Sequence, residues 1–160
     1  MPSGLFNGEV TLDRVTRAQR YLRAVYGGDP EALDDLAAPD VVISYPLFQE
    51  VLGVPAIRGR EAAKAFVVRF AGRWADPRIE FHDSVAEGDK VVLVWSFAAR
   101  MATPPESSDE SGGGDRAWGG ITLIRFDPSG RVVSEVGEES TPGPSGRLRG
   151  LEGHSNGEAE

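Results

Sequence analysis

Apolar residues in the first half of the chain recur with helical spacing. Residues 11–26 repeat apolar side chains at intervals of three and four, which is typical of one buried helical face. A short second helix is predicted after Asp29, because an aspartate cap followed by proline begins helices. A third helix is predicted over residues 61–75, with apolar side chains on one side and basic side chains largely opposite. Asp76 and Pro77 are expected to end it.

The rest of the folded chain has the composition of β-strands. The β-branched residues 41–45 predict a strand halted by Pro46, and residues 47–58 are predicted to form an ordered loop. Four further strands are predicted over residues 78–85, 90–103, 117–126 and 131–140. Turn residues at Gly88-Asp89 and at 127–130 join neighbouring strands as hairpins, so most of the sheet is expected to be antiparallel.

Three segments are too polar to bury a core. Residues 1–10 are expected to be a flexible N-terminus, residues 104–115 a flexible loop at the end of the sheet, and residues 141–160 a disordered tail. The folded domain is therefore predicted over residues 11–140, the size of one domain.

Charge and composition exclude several classes of function. The net charge of −8 opposes binding to nucleic acid or to an anionic membrane, and the absence of cysteine excludes disulfides and thiolate sites. No histidine or acidic set has metal-ligand spacing and no nucleotide-binding motif is present, so we expect no metal and no cofactor. The N-terminus lacks a signal-peptide pattern and the chain lacks a long apolar run, which predicts a soluble, cytoplasmic protein.

Four phrases carry a family resemblance: DVVISYP (40–46), IRGREA (57–62), VAEGDKV (85–91) and RFDPSGRVV (125–133). Together with helices followed by a long antiparallel meander, they resemble the NTF2-like superfamily, which includes SnoaL-like polyketide cyclases, ketosteroid isomerases and limonene epoxide hydrolases. The resemblance implies an α+β cone, in which a curved, mostly antiparallel sheet is wrapped by about three N-terminal helices around one pocket.

The resemblance also implies which strand positions face the pocket. One face of the last strand carries Val133, Glu135, Gly137 and Glu139. This face is expected to point inward, and Gly137 stands where cyclases and epoxide hydrolases of the superfamily carry an aspartate. Tyr45 stands where the isomerases have their basic aspartate, and Thr122 falls about where they place a second acid. The usual acid and base positions are therefore altered.

The remaining inward positions predict an apolar, aromatic pocket. Trp95 and Phe97 occupy the positions where the epoxide hydrolase pattern needs an arginine and an aspartate, so hydrolysis by that route is not expected. The substrate-binding residues are predicted to be Trp95, Phe97, Met101, Trp118, Thr122, Ile124 and Glu139. Such a lining suits a long, weakly polar polyene or polyketide.

Three residues are candidates for catalysis, and each has a simpler interpretation. Glu135 is either a buried carboxyl with a raised pKa, suited to proton transfer, or a carboxylate at the rim. Tyr45 either donates to a substrate oxygen or is a wall residue. Asp83 follows His82 on a strand, so at most one of these two faces the pocket.

These features favour a cyclase of secondary metabolism that closes a ring in a polyketide-like substrate, similar to indane-forming cyclases. Catalysis would come from folding the substrate into a reactive conformer, with cycloaddition as one route. The alternatives are an acid-base isomerase or aldol-type cyclase using Glu135 or Asp83, and a noncatalytic binding or dimerisation module. A homodimer through the outer sheet face, including Val92 and Val94, is also expected. The loop at 104–115 is expected to gate the pocket.

Overall fold

The computed structural model describes residues 4–102 and 114–152, and its helices lie mainly in the N-terminal half. The helices are α1 (Gly4–Gly27), α2 (Leu33–Leu36), α3 (Pro46–Leu52), α4 (Arg60–Ala71) and α5 (Pro144–Glu152). The predicted helices are thus present, and α1 is the longest of them. No helix in the described part of the chain is both long enough and apolar enough to cross a bilayer.

A single sheet in the described residues contains six strands. They are β1 (Ala37–Ser44), β2 (Ile57–Arg58), β3 (Trp74–Glu87), β4 (Lys90–Met101), β5 (Asp115–Phe126) and β6 (Val132–Ser140). The order across the sheet is β2-β1-β6-β5-β4-β3. Only the β1–β6 pair among these is parallel, because the chain crosses over between them. The curved, unclosed sheet with N-terminal helices confirms the predicted α+β, NTF2-like cone.

The core lies between the inner sheet face and the helices. On β4, alternate residues are buried, as the two-residue period of a strand requires: Val91, Leu93, Trp95 and Phe97. The face of α1 that packs on β3 and β4 is also buried and includes Tyr21 and Leu22. Helix and sheet therefore bury their apolar faces against each other, which is the main stabilising contribution of the fold.

The segment predicted as a loop after Pro46 instead contains a helix and a strand. Pro46 stands in the first turn of α3, where its fixed φ and missing N–H are favourable, so it starts a helix after ending a strand. β2 pairs with β1 through Val42–Arg58 and Ile43–Ile57. Two residues are too short a strand to recognise from alternation.

The helix predicted to run to residue 75 ends earlier. α4 stops at Ala71 and β3 begins at Trp74, so Asp76 lies within a strand where we expected the end of a helix. The pairing of β3 with β4 shifts register between Ala75 and Arg78, and Asp76 has a φ of 52°. Asp76 and Pro77 thus form an irregularity inside β3.

The ends of the chain also differ from expectation. Helix α1 begins at Gly4, inside the segment expected to be flexible, and α5 occupies much of the predicted disordered tail. The connection to α5 packs on the sheet because Gly143 and Gly119 have no side chains: a Cβ on Gly143 would come within 2.7 Å of the Gly119 backbone. The predicted gating loop at 104–115 lies mostly outside the described residues, and residues 153–160 lie wholly outside them.

Candidate active site

A cavity of about 550 Å³ opens between α3, α4 and the inner face of the sheet. This volume is in the range of small-molecule sites. Its walls are largely aromatic and aliphatic and include Phe66, Phe70 and Trp118. The polar groups at its surface include Tyr45, Glu135 and Glu139, all three of which were predicted as site residues.

Glu135 is fully buried at the floor of this cavity. It lies between two buried apolar residues on neighbouring strands, Ile43 of β1 and Ile124 of β5. Burial raises the pKa of the Glu135 carboxyl from 4.5 to about 7; the hydroxyls of Tyr45 and Tyr21 lower it, and Glu139 raises it further. The carboxyl therefore exchanges its proton near neutral pH.

A chain of hydrogen bonds holds one oxygen of Glu135. The Tyr45 hydroxyl donates to Glu135 Oε1 over 2.6 Å and lies 3.0 Å from Thr122 Oγ1. The Trp95 indole Nε1 donates to the same Thr122 oxygen over 2.9 Å. All four side chains are buried, so water does not compete for these bonds.

The donor and acceptor chemistry of these side chains assigns every proton in this chain of hydrogen bonds. Because the indole of Trp95 only donates, Thr122 accepts from it. Because the single hydroxyl proton of Tyr45 goes to Glu135, the proton of Thr122 goes to the Tyr45 oxygen. Tyr45 therefore has no proton left for a substrate oxygen while these bonds hold. Its hydroxyl instead holds Glu135 Oε1, an arrangement that differs from the donor role considered from the sequence.

The second oxygen of Glu135 has no such partner. Glu135 Oε2 and the Tyr21 hydroxyl are both buried and neither meets hydrogen-bond geometry with any described residue. Tyr21 nevertheless lies close enough for the Glu135 charge to raise its pKa, after the larger effect of burial. Of the two carboxyl oxygens, Oε2 is thus the one that no hydrogen bond of standard geometry holds in the described residues.

The Tyr45 ring takes up the space that a side chain at position 137 would occupy. A Cβ built on Gly137 would overlap the Tyr45 ring and lie 2.9 Å from Thr122 Oγ1. Glycine at this position is therefore a condition for the hydrogen-bond chain. The residue that replaces the expected aspartate allows a tyrosine to reach the buried glutamate.

Tyr26 is a cavity residue that the sequence interpretation did not assign to the site. It borders the cavity, and its ring packs on Trp95 and Phe97 at centroid distances of 4.8 and 5.3 Å. Burial raises the pKa of Tyr26 well above its usual value, with smaller contributions from Glu139 and Glu135. The available signal was a tyrosine on a buried helical face, since its hydroxyl needs a polar neighbour. The same signal applies to Tyr21.

Comparison with known proteins identifies the fold family. The family model described as a SnoaL-like domain matches residues 18–135. The chain belongs to this SnoaL-like family. No curated protein matches it significantly in sequence.

Solved structures place this SnoaL-like domain among NTF2-like folds. TsrD from Streptomyces laurentii is 27% identical with a TM-score of 0.60, over 80% of this chain and 88% of that chain. A putative polyketide cyclase from Acidithiobacillus ferrooxidans is 21% identical with a TM-score of 0.65, over 86% and 94%. An LEH-like epoxide hydrolase from M. tuberculosis is 19% identical with a TM-score of 0.62, over 88% and 93%. The predicted family resemblance is confirmed.

In this SnoaL-like domain, the predicted substrate-binding residues divide into two groups. Trp118 and Glu139 border the cavity, and burial raises the pKa of Glu139 while the nearby Trp118 lowers it. The others lie behind the lining or away from it: Trp95, Phe97, Met101, Thr122 and Ile124. Trp95 and Phe97 support Tyr26 from below, so they shape the cavity without bordering it.

Asp83 was predicted as a catalytic candidate that faces the pocket, and this placement is wrong. The pairing of β3 with β4 shifts between Phe81 and Asp83, which adds a residue and reverses the faces of the following side chains. Asp83 consequently pairs with Val94, is exposed, and accepts from the Ser84 backbone N–H. His82 is also exposed and bonds to Ser96.

The polar side chains of the site are suited to proton transfer by a carboxyl group. Within residues 4–102 and 114–152, no three histidine or acidic side chains are grouped as metal ligands. The polar groups facing the cavity are instead carboxyls, phenols and, at its mouth, guanidinium groups. Such a set can move a proton and bind oxygen atoms of a small molecule.

Proposed function

We propose that the protein catalyses an aldol-type ring closure in a largely apolar, polyketide-like carbonyl compound. The observation that carries the proposal is Glu135, a fully buried carboxyl with a pKa of about 7 at the floor of an apolar cavity. A general base is most effective when its pKa lies near the working pH. This favours the acid-base alternative over ring closure by substrate preorganisation, for which the sequence interpretation gave cycloaddition as one route.

In the proposed reaction, Glu135 Oε2 removes a proton from the carbon beside one carbonyl of the substrate. The resulting enolate carbon attacks a second carbonyl of the same molecule, and a carbon–carbon bond closes the ring. The proton on Glu135 then passes to the new alkoxide, so substrate and product have the same mass. Tyr45 keeps Oε1 occupied throughout, which leaves Oε2 as the reacting oxygen.

The cavity walls support a flexible, weakly polar substrate. Phe66 and Phe70 of α4 pack with centroids 5.9 Å apart, and Phe70 packs edge-on against Trp118 with centroids 6.4 Å apart. Apolar walls bind a hydrocarbon chain without satisfying its carbonyls, and they exclude water that would quench the enolate. Holding both carbonyls of one molecule together lowers the entropic cost of ring closure.

The test uses purified protein and a panel of apolar linear diketones whose carbonyls are spaced for five- or six-membered rings. We expect accelerated formation of a cyclic product of unchanged mass. Glu135→Gln should lower kcat by about 10²- to 10⁴-fold. The activity of the unmodified protein should rise as Glu135 ionises around pH 7.

Glu138→Gln is the matched control, because Glu138 lies on the same strand but is exposed on the opposite face. Retained cyclisation in Glu135→Gln would contradict the proposal and favour ring closure by preorganisation alone, which the aromatic walls also support. Binding of the panel with no turnover would favour a noncatalytic module.

Two broader expectations stay predictions. The outer sheet face carries exposed apolar residues, Val85, Ile121 and Val136, beside the half-buried Val92 and Val94, and this supports the expected homodimer. The cytoplasmic location likewise stays a prediction.

A further inference from the structure

Two arginines stand at the mouth of the cavity without an acidic partner. Arg69 lies in the last turn of α4, and Arg73 follows four residues later. Both side chains are exposed and both border the cavity. In the described part of the chain, neither side chain takes part in an ion pair or a hydrogen bond.

Neighbouring cations in the same protein are paired. Lys64 and Arg60, about one and two turns before Arg69 on α4, both contact Asp34, and Arg100 pairs with Asp76. The chain has 25 acidic and 17 basic residues, so acidic partners are plentiful. None of the carboxyls that border the cavity, Glu50, Glu135 and Glu139, forms an ion pair with either arginine in the described residues.

Exposed apolar residues also border the mouth. Leu47 and Val51 of α3 border the cavity and are each 48% exposed. The mouth therefore combines exposed apolar residues and the carboxylate of Glu50 on α3 with two guanidinium groups that begin at the end of α4. Guanidinium groups bind carboxylates through paired N–H donors, which gives a geometric preference for a planar anion.

A buried donor beside the arginines also lacks an acceptor. Trp74 follows Arg73 directly and borders the cavity, and its indole Nε1 is buried with no hydrogen-bond partner in the described residues. The acidic side chains that border the same cavity and oppose an anion are Glu50 and Glu139, besides Glu135 at the floor. The local excess of unpaired donors lies at Arg69, Arg73 and Trp74.

We propose that Arg69 and Arg73 form a binding site for a carboxylate at one end of the substrate, whose apolar body fills the cavity. This deepens the proposed function by naming the substrate as an amphiphilic carboxylate, and it rests on that function only for the reaction that follows binding. A substrate held by its charged end at the mouth places its apolar portion toward Glu135.

The test compares two unreactive probes of equal length, decanoate and the neutral decanamide, at about pH 6. A carboxylic acid with an ordinary pKa of about 4.3 remains ionised there. Glu135, with a pKa of about 7, is mostly protonated and does not repel the probe. A change in tryptophan fluorescence reports binding, because the probe displaces water from a cavity that Trp74 and Trp118 border.

We expect decanoate to bind about tenfold more tightly than decanamide, equivalent to about 1.4 kcal/mol. The double variant Arg69→Gln/Arg73→Gln should lose this preference while binding decanamide as before. Arg125→Gln is the matched control, since Arg125 is exposed on β5 on the face away from the cavity. Added salt should reduce the preference.

Equal affinity for the two probes, or a preference that survives in the double variant, would overturn the proposal. The outcome is independent of Glu135 chemistry, because neither probe reacts. Failure of the carboxylate site and failure of the ring-closure proposal are therefore distinguishable.

Discussion

The floor and the mouth of the cavity differ in how far their polar groups are hydrogen-bonded within the protein. At the floor, Trp95, Thr122, Tyr45 and Oε1 of Glu135 form one buried chain in which each proton has an assigned acceptor. At the mouth, Arg69 and Arg73 are exposed and have no protein partner in the described residues.

The difference separates two tasks of a small-molecule site. A buried donor without a partner costs about 1–3 kcal/mol, and the hydrogen-bond chain at the floor avoids this cost for Trp95, Thr122 and Tyr45. The floor is therefore preorganised before a ligand arrives, which is what precise proton transfer requires. Exposed arginines are satisfied by water and can exchange it for a ligand at little cost, so the mouth is suited to capture.

The largest expected difference between variants of the floor and variants of the mouth is in how stability depends on pH, because Glu135 titrates at the floor. Its pKa is about 7 in the folded protein against 4.5 for an ordinary glutamate. Between these values the folded state keeps a proton that the unfolded state has released, so the free energy of unfolding falls as pH rises and levels off above about pH 7. The full effect is about 3 kcal/mol.

Glu135→Gln should remove the part of this decrease that Glu135 causes, while Glu139, whose pKa burial also raises, keeps its own contribution. Denaturant unfolding at about pH 5 and about pH 8 measures it, and the groups facing Glu135 in both proteins are Tyr21, Tyr26, Tyr45 and Glu139. The mouth variant Arg69→Gln should retain the pH dependence of the unmodified protein. Parallel pH profiles for Glu135→Gln and the unmodified protein would show that the floor carboxyl is not buried as described.

Gly137→Ala tests the packing of the floor and should have the next largest effect. The added methyl group would overlap the Tyr45 ring, and overpacking of this kind costs about 2 kcal/mol. We expect lower stability in thermal unfolding together with loss of ring closure, because Tyr45 can no longer reach Glu135. Gly27→Ala is the control, since a Cβ there meets no atom within 4 Å. Unchanged activity in Gly137→Ala would contradict a positioning role for Tyr45.

Most of the fold followed from local patterns in the sequence. The helical spacing of α1, the β-branched strand β1 and the hairpin turns after β3 and β5 each depend on neighbouring residues, and the structure contains all of them. The errors came from irregular backbone. The irregularity at Asp76 and the register shift before Asp83 break the two-residue alternation, and both depend on how β3 pairs with β4.

The candidate site was predicted in part for a related reason. Alternation along β6 correctly placed Glu135 and Glu139 on the cavity side, and Tyr45 also borders the cavity. The partners of Glu135 come from elements far apart in sequence, so periodicity could not show that Trp95 and Thr122 bond to each other beneath it. Helix α3 was missed altogether, and with it the apolar residues of the mouth.

Thr122→Val is the smallest and most specific perturbation of the floor. Valine keeps the shape of threonine but removes the hydroxyl that donates to Tyr45 and accepts from Trp95, while the Tyr45–Glu135 bond remains. Loss of one positioning hydrogen bond of about 1 kcal/mol corresponds to about a fivefold lower kcat. Thr122→Ser keeps the hydroxyl and should restore most of the rate, although it loses the packing of the threonine methyl group. Binding of decanoate at the mouth should be the same in both, because the arginines take no part in the floor chain. Loss of rate in the serine variant together with full rate in the valine variant would show that Thr122 acts through its methyl group and that the hydrogen-bond chain beneath Glu135 is structural only.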